Sequence, residues 1–239
     1  MPTLFRGQPI VDFYRFVDAL VVSHIPAGAA VLDVGCGDGR FTEKIIEQCR
    51  PARIVGIDTD ADAVRAAKSR LSAHVGAEFF QGDGEDIEFL KTLGEFTVIN
   101  SRLTIHHLND PLRALKMWAD LLPPGGALII VDIDRDSYCY EVAGCSLSTL
   151  LTWVSVIRSS GVRVGVRAIR GMQYGSEAWK EHRRKDMAHR QAIGWYRFCD
   201  IRRKFLALFP TALTGRSGGF GGIGGVHYMV YKKADVQGS

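Results

Sequence analysis

Apolar runs alternate with stretches of helical periodicity over residues 28–132. The first run, residues 29–34, has no polar alternation, which is typical of a strand buried on both faces in a parallel sheet. After it, Phe41, Ile45 and Cys49 recur at helical spacing. Further strands are predicted at residues 53–58, 78–81, 96–101 and 127–132. Strands and helices that alternate in this order predict a doubly wound α/β sheet.

The chain after the fifth strand follows a different pattern. Apolar positions at helical spacing predict helices within residues 133–200 and a last helix that ends at Pro210. A closing hairpin is predicted from residues 211–214 and 226–231. The glycine-rich segment 215–225 between them is expected to be a mobile loop, either a lid or a plain connection.

The composition is that of an ordinary globular chain. It has 239 residues, of which 46% are hydrophobic and 23% charged, enough to bury one large core or a domain with a cap. No apolar run reaches the ~20 residues of a membrane helix, and the first residues lack the layout of a signal peptide. The five cysteines form no C-x-x-C pair and lack histidines at zinc spacing. We therefore expect reduced thiols, a cytoplasmic protein, no metal site and no membrane partner.

Positive charge is concentrated in one segment. The chain carries a net charge of +4, but residues 158–204 contain 13 Lys or Arg against 4 Asp or Glu. Two interpretations stay open. The segment faces an acidic partner or substrate, or its charges lie on the solvated faces of ordinary surface helices.

The turn after the first strand carries the strongest chemical signal. Asp33 is followed by glycine at every second position, at Gly35, Gly37 and Gly39. Glycines there let a ligand approach the backbone at a helix N-terminus, where unpaired N–H groups point outward. A dinucleotide fingerprint would need glycine at position 40, which is Arg40. The spacing instead resembles motif I of the class I S-adenosylmethionine (SAM)-dependent methyltransferases.

Two acids downstream fit the same resemblance. Asp58 ends the second strand, where ligands of doubly wound folds bind, and can accept hydrogen bonds from both ribose hydroxyls. Asp83 follows the third strand, where an acid of this family accepts from the adenine amino group. The resemblance implies SAM as the cofactor and S-adenosyl-L-homocysteine (SAH) as its product. It implies a cofactor-binding set of Asp33, Gly35, Cys36, Gly37, Asp58, Thr59, Asp83, Gly84, Glu85 and Ser101.

The resemblance covers residues 28–132 and completes the expected architecture. It implies a seven-stranded sheet that is parallel except for its last strand, with a helical cap inserted after the fifth strand. Residues 1–27 are expected to be an N-terminal helical segment over the cofactor site, and residues 28–239 the class I methyltransferase domain. Within that domain, residues 133–200 are expected to be the cap over the acceptor.

A histidine pair follows the fourth strand. A His-His-Leu run begins at His106, an Asp-Pro pair follows at Asp110, and both resemble the loop that borders the methyl group in small-molecule members of the family. Histidine titrates near neutral pH, so His106 and His107 are the candidate catalytic residues as general bases, or they form only a wall of the site. Residues 100–103 depart from the Asn/Asp-Pro-Pro-Tyr/Phe motif of enzymes that methylate planar nitrogens, which disfavours nucleobases and glutamine as acceptors.

The acceptor side is expected to include Tyr14, Arg102, Tyr138 and His189. The excess positive charge favours an acceptor with a carboxylate or phosphate. The leading hypothesis is a SAM-dependent methyltransferase that acts on O, N or C of a small anionic or aromatic metabolite. An RNA methyltransferase that contacts the RNA backbone through residues 158–204 ranks second, and a non-catalytic SAM-binding module is the third alternative. The identity of the acceptor and the oligomeric state stay open.

Overall fold

The structure is a computed structural model that describes residues 4–5, 8–9, 18–133, 177–195, 198–217 and 226–235. The chain divides into two compact units. The larger unit comprises Asp18–Asp132, Arg202–Gly215 and Tyr228–Ser239. The smaller unit comprises Met1–Val17, Ile133–Ile201 and Arg216–His227.

A seven-stranded sheet, most of whose residues belong to the larger unit, carries the fold. Its strands are β1 Ala30–Val34, β2 Arg53–Asp58, β3 Ala77–Gln81, β4 Val98–Arg102, β5 Ala127–Ile133, β6 Leu213–Ser217 and β7 Val226–Lys232. They lie in the order β3-β2-β1-β4-β5-β7-β6, and six run parallel while the last is antiparallel. The predicted doubly wound sheet, parallel except for its last strand, is confirmed.

Helices connect the strands. Their bounds are α1 Arg40–Cys49, α2 Ala61–Arg70, α3 Ile87–Thr92, α4 Pro111–Leu121, α5 Glu177–Ala192 and α6 Phe198–Leu208. Asp60, Asp86 and Asp110 are the N-caps of α2, α3 and α4, because each carboxylate accepts a free backbone N–H of the first turn. None of the helices in the described stretches is long and apolar enough to span a membrane.

The central strands are buried and bring their carboxyl ends to one edge. Val31, Leu32 and Ile99 are almost fully buried, as are Leu128, Ile129 and Ile130 of β5, the strand beside β4. Burial of each such side chain contributes about 1.5–3 kcal/mol to folding. In the register, Asp33 of β1 lies opposite Gly56 of β2 and Asn100 of β4. The loops that follow β1, β2 and β4 therefore begin side by side.

Some local predictions differ from the structure. Helix α3 was not predicted, because six residues show too little periodicity to be recognised. Strand β6 continues to Ser217, so residues 215–217 are strand rather than loop, and the glycine-rich remainder lies outside the described residues. Leu4–Phe5 pairs antiparallel with Gln8–Pro9 where a helical segment was expected. Proline lacks the N–H that a helix interior needs, which accounts for this difference. Residues 18–23 are helical as expected.

The smaller unit contains a buried ion pair in its described part. The Nε of Arg190 lies 3.2 Å from both carboxylate oxygens of Asp186, one turn earlier on α5, and Arg190 is fully buried. Trp195 donates its backbone N–H to the carbonyl of Arg190 at 2.8 Å, and its ring meets the His227 ring edge-on. The helical cap over residues 133–200 stays a prediction, since only part of that range is described.

Candidate functional site

The glycine turn after β1 is tied to the neighbouring strand. The backbone N–H groups of Gly35 and Cys36 both donate to the carbonyl of Ile57, at 2.8 and 3.0 Å. A side chain on Gly35, whose φ is 76°, would overlap the side chain of Thr104 in the loop after β4. Thr104 in turn donates its hydroxyl to the carbonyl of Arg102 at 3.2 Å. Glycine at position 35 thus lets the loops after β1 and β4 approach each other closely.

Gly37 and Asp58 meet at the carboxyl ends of β1 and β2. The N–H of Gly37 donates to Asp58 Oδ2 at 2.9 Å, and Asp58 Oδ1 accepts the N–H of Asp60 at 3.0 Å. A side chain on Gly37 would meet no heavy atom of the described residues within 4 Å. The two residues that the sequence singled out are therefore adjacent, and open space lies next to them.

Asp33 is enclosed beneath this turn. Its carboxylate oxygens accept hydrogen bonds from the Thr42 hydroxyl at 2.6 Å and from the Asn100 amide at 2.7 Å, and the residue is only 2% exposed. Burial raises the pKa of the Asp33 carboxyl, and the two donated hydrogen bonds oppose the rise. Sequence reasoning assigned no role to Thr42 and Asn100. Buried polar residues next to an acid are the signal that would have found them.

The acidic loop after β3 is held by its own contacts. Asp83 is exposed, and its Oδ1 accepts the backbone N–H of Glu85 at 2.8 Å. Gly84 is buried, and its carbonyl accepts the indole N–H of Trp118 at 2.8 Å. Both carboxylate oxygens of Glu85 accept hydrogen bonds from the segment that precedes α4, through Asn109 and Asp110. Asp83 is thus open to a ligand, whereas Glu85 is engaged within the protein.

The remaining residues of the expected cofactor set differ in accessibility. Thr59 is exposed directly after Asp58. Ser101 is fully buried at the end of β4, and its hydroxyl has no hydrogen-bond partner among the described residues. Burial, followed by the charges of Asp33 and Asp58, raises the pKa of the Cys36 thiol, so this side chain stays protonated at neutral pH.

Arg102 belongs to a small charged cluster at the end of β4. Its Nε lies 3.3 Å from a carboxylate oxygen of Asp18, and its guanidinium lies 4.8 Å from the centre of the Phe41 ring. The other oxygen of Asp18 lies 2.5 Å from the ammonium of Lys44. One buried acid therefore faces two cations. Leu103, the next residue, has a φ of 59°, a strained left-handed conformation for a leucine.

The two histidines have different environments. His106 is 5% exposed, and its Nδ1 lies 2.5 Å from Oδ1 of the fully buried Asp132 at the end of β5. The other oxygen of Asp132 accepts the backbone N–H of His106 at 3.0 Å. His107 is exposed, and the centres of the two imidazole rings lie 4.0 Å apart. Asp132 was missed as a functional residue. Its position at the carboxyl end of the strand beside β4 is the signal that could have found it.

The expected acceptor residues do not all lie within the described structure. Tyr14 and Tyr138 fall outside the described residues. His189 is half-buried on α5, in the smaller unit. Of this set, only Arg102 is described within the larger unit, on the same strand as Ser101.

Comparison with known proteins supports one family. Residues 32–130 match the family model of a methyltransferase domain. A ubiquinone biosynthesis O-methyltransferase of Xanthomonas axonopodis pv. citri (strain 306) is 30% identical over 119 residues, which are 49% of this chain and 48% of that protein. The chain thus spans about half the length of the curated relatives it matches.

Two solved structures share the fold over most of the chain. The N-methyltransferase NodS from Bradyrhizobium japonicum WM9 has a TM-score of 0.56 at 17% identity and covers 93% of this chain and 97% of its own. The plantazolicin methyltransferase BamL was solved with a triazolic desmethylPZN analog and SAH. Its TM-score is 0.63 at 13% identity, and the match covers 94% of this chain and 85% of that one. Such identities show a common fold. The resemblance predicted from the glycine turn is confirmed.

Proposed function

We propose that this chain, whose residues 32–130 belong to the class I SAM-dependent methyltransferase family, transfers a methyl group from SAM to a small-molecule acceptor. The acceptor is anionic or aromatic and is methylated on O, N or C. Because the match covers about half of the curated relatives, the activity of the whole chain is part of the proposal.

The open space over Gly37 carries this proposal. Bare backbone lies next to the Asp58 carboxylate, which keeps lone pairs beyond the two that already accept hydrogen bonds. This arrangement at the carboxyl ends of two parallel strands fits the ribose of a nucleoside cofactor. When bound, SAM supplies a methyl group on a sulfonium that needs no further activation.

Each residue of the set then has a distinct task. Asp58 holds the ribose hydroxyls, and the exposed Asp83 accepts from the adenine amino group. Thr59 and the backbone of Gly84 line the same edge. Asp33 acts from beneath, since its bonds to Thr42 and Asn100 hold the end of β1 in place. Catalysis rests on holding the acceptor in line with the methyl group, which supplies about 7–11 kcal/mol of the barrier.

The charged cluster at Arg102 supports an anionic acceptor. Arg102 and Lys44 both lie against the carboxylate of Asp18, so two cations lie next to each other there. The match to a protein named for ubiquinone biosynthesis supports a small molecule over RNA. Tyr14, Tyr138 and His189 remain proposed contacts of the acceptor.

A matched pair of glycine variants tests the cofactor site. Gly37 and Gly28 both have positive φ, at 55° and 76°, and at both positions a Cβ would meet none of the described atoms within 4 Å. Gly28 precedes β1 and lies at the opposite end of that strand. Alanine at either site costs about 1–2 kcal/mol of backbone strain. We expect Gly37→Ala to weaken SAH binding by more than about tenfold in calorimetry and Gly28→Ala to leave it unchanged. Equal affinities for both variants would refute the proposed site.

Transfer itself is tested with methyl-labelled SAM and a panel of small acceptors and RNA. Label on a small molecule supports the proposal, and label on RNA alone would favour the RNA alternative. SAH binding without transfer to any acceptor would indicate the non-catalytic module.

A further inference from the structure

The imidazole of His106 is held at two points by one carboxylate. Asp132 Oδ1 lies 2.5 Å from His106 Nδ1, while Oδ2 accepts the His106 backbone N–H at 3.0 Å. Asp132 is fully buried and His106 nearly so. Because the ring and the backbone N–H of His106 both contact the same carboxylate, the ring has little freedom to rotate.

This contact determines the tautomer of the ring. An ionised carboxylate only accepts hydrogen bonds, so the proton of a neutral His106 ring lies on Nδ1. Nε2 then carries the free lone pair. The His106 ring also lies against the His107 ring, with the two ring centres 4.0 Å apart. Nε2 is therefore prepared to accept a proton.

We propose that Asp132 is the positioning residue that holds His106 Nε2 as a general base, and that the acceptor of this enzyme is a hydroxyl group. The inference rests on the proposed methyltransferase function. A neutral amine attacks with its own lone pair and loses its proton afterwards, so it gains little from an oriented base. A hydroxyl is a weak nucleophile while it keeps its proton, and general-base catalysis contributes about 10²–10⁴-fold to such reactions.

The acceptor O–H bond breaks and its proton moves to His106 Nε2. The oxygen lone pair forms the new bond to the methyl carbon, and the electron pair of the broken carbon–sulfur bond stays on sulfur. The positive charge of the sulfonium is thereby lost, and the positive charge gained by the His106 ring lies beside the Asp132 carboxylate.

Asp132→Asn tests this role through the acidity of the acceptor. Phenol keeps its proton at mildly alkaline pH, whereas 4-nitrophenol is already largely ionised. We expect the variant to lose about 10²-fold or more of kcat/KM with phenol and at most about threefold with 4-nitrophenol. Asp120→Asn, the same chemical change at an exposed site on α4, should leave both rates unchanged.

A second readout does not depend on turnover. Nitrogen NMR of the ligand-free protein should show His106 protonated at Nδ1 and unprotonated at Nε2, and Asp132→Asn should shift this signal towards a mixture of tautomers. SAH affinity should be the same in wild type and variant.

Three results would overturn the inference. They are an equal loss of rate with both phenols, an unchanged tautomer in Asp132→Asn, and a wild-type chain that binds SAH but methylates neither phenol. A chain that does not bind SAH contradicts the proposed function instead, so the two failures are distinguishable.

Discussion

Glu85 and Asn109 form a paired contact between two loops. One carboxylate oxygen of Glu85 accepts both the backbone N–H of Asn109 at 2.8 Å and its side-chain amide at 3.0 Å. The other oxygen accepts the N–H of Asp110 at 2.8 Å. The acidic loop after β3 is thereby joined to the segment that directly follows His106 and His107. Glu85, for which a cofactor contact stays a prediction, links the two loops in this structure.

Glu85→Gln is expected to impair transfer more than cofactor binding. An amide has one acceptor oxygen, so at least one of the three hydrogen bonds is lost, at a cost of about 1–2 kcal/mol in the free energy of unfolding. We expect kcat to fall about tenfold and SAH affinity to change less than about threefold. Glu88→Gln, an exposed change on α3, is the control. A parallel fall in SAH affinity would instead make Glu85 a cofactor ligand.

Arg70 of α2 supports the glycine turn from outside. Its Nε donates to the backbone carbonyl of Asp38 at 3.0 Å, and one terminal nitrogen lies 3.3 Å from the Asp38 carboxylate. Arg70→Ala should loosen the turn and weaken SAH binding by about three- to tenfold in calorimetry. Arg65→Ala, on the same helix and paired with Asp62, should have no effect. Wild-type affinity in Arg70→Ala would mean that the turn holds its shape without this contact.

The buried Asp33 carboxyl makes stability depend on pH. Its pKa in the folded protein is raised above 3.8, chiefly by burial, so the folded protein keeps this proton to a higher pH than the unfolded chain does. The stability from this group is fully present below the unfolded pKa and falls as pH rises through the folded pKa.

Asp33→Asn removes that dependence. In urea titrations, the free energy of unfolding of the variant minus that of wild type should be larger at about pH 7 than at about pH 3, because only wild type loses stability as pH rises. The exposed Asp120→Asn should show the same difference at both pH values. A relative stability of Asp33→Asn that falls with rising pH would show that the carboxyl pKa is lowered rather than raised.

The fold and the cofactor edge could be predicted because their signals are local. Strand β2 was predicted with the bounds that the structure has. Its last residue, Asp58, lies beside Gly37, because parallel strands bring their carboxyl ends to the same edge of the sheet. Each of these inferences needed only an apolar run, a glycine spacing and the rule that parallel strands share one edge.

The contacts that refine the site could not be predicted from local signals. Glu85 meets Asn109 across 24 residues and Asp132 meets His106 across 26. Such pairs depend on the path of the loops above the sheet, which periodicity does not specify. For the same reason the sequence did not distinguish the enclosed His106 from the exposed His107.

The central claim is that the carboxyl ends of β1 and β2 bind SAM through Asp58. Calorimetric titration of SAM into Asp58→Ala measures it most directly, with the exposed Asp62→Ala as control. Loss of the carboxylate removes the acceptor for the ribose and for the Gly37 N–H, so affinity should fall by more than about tenfold while Asp62→Ala keeps wild-type affinity. Unchanged SAM affinity in a folded Asp58→Ala protein would contradict the account.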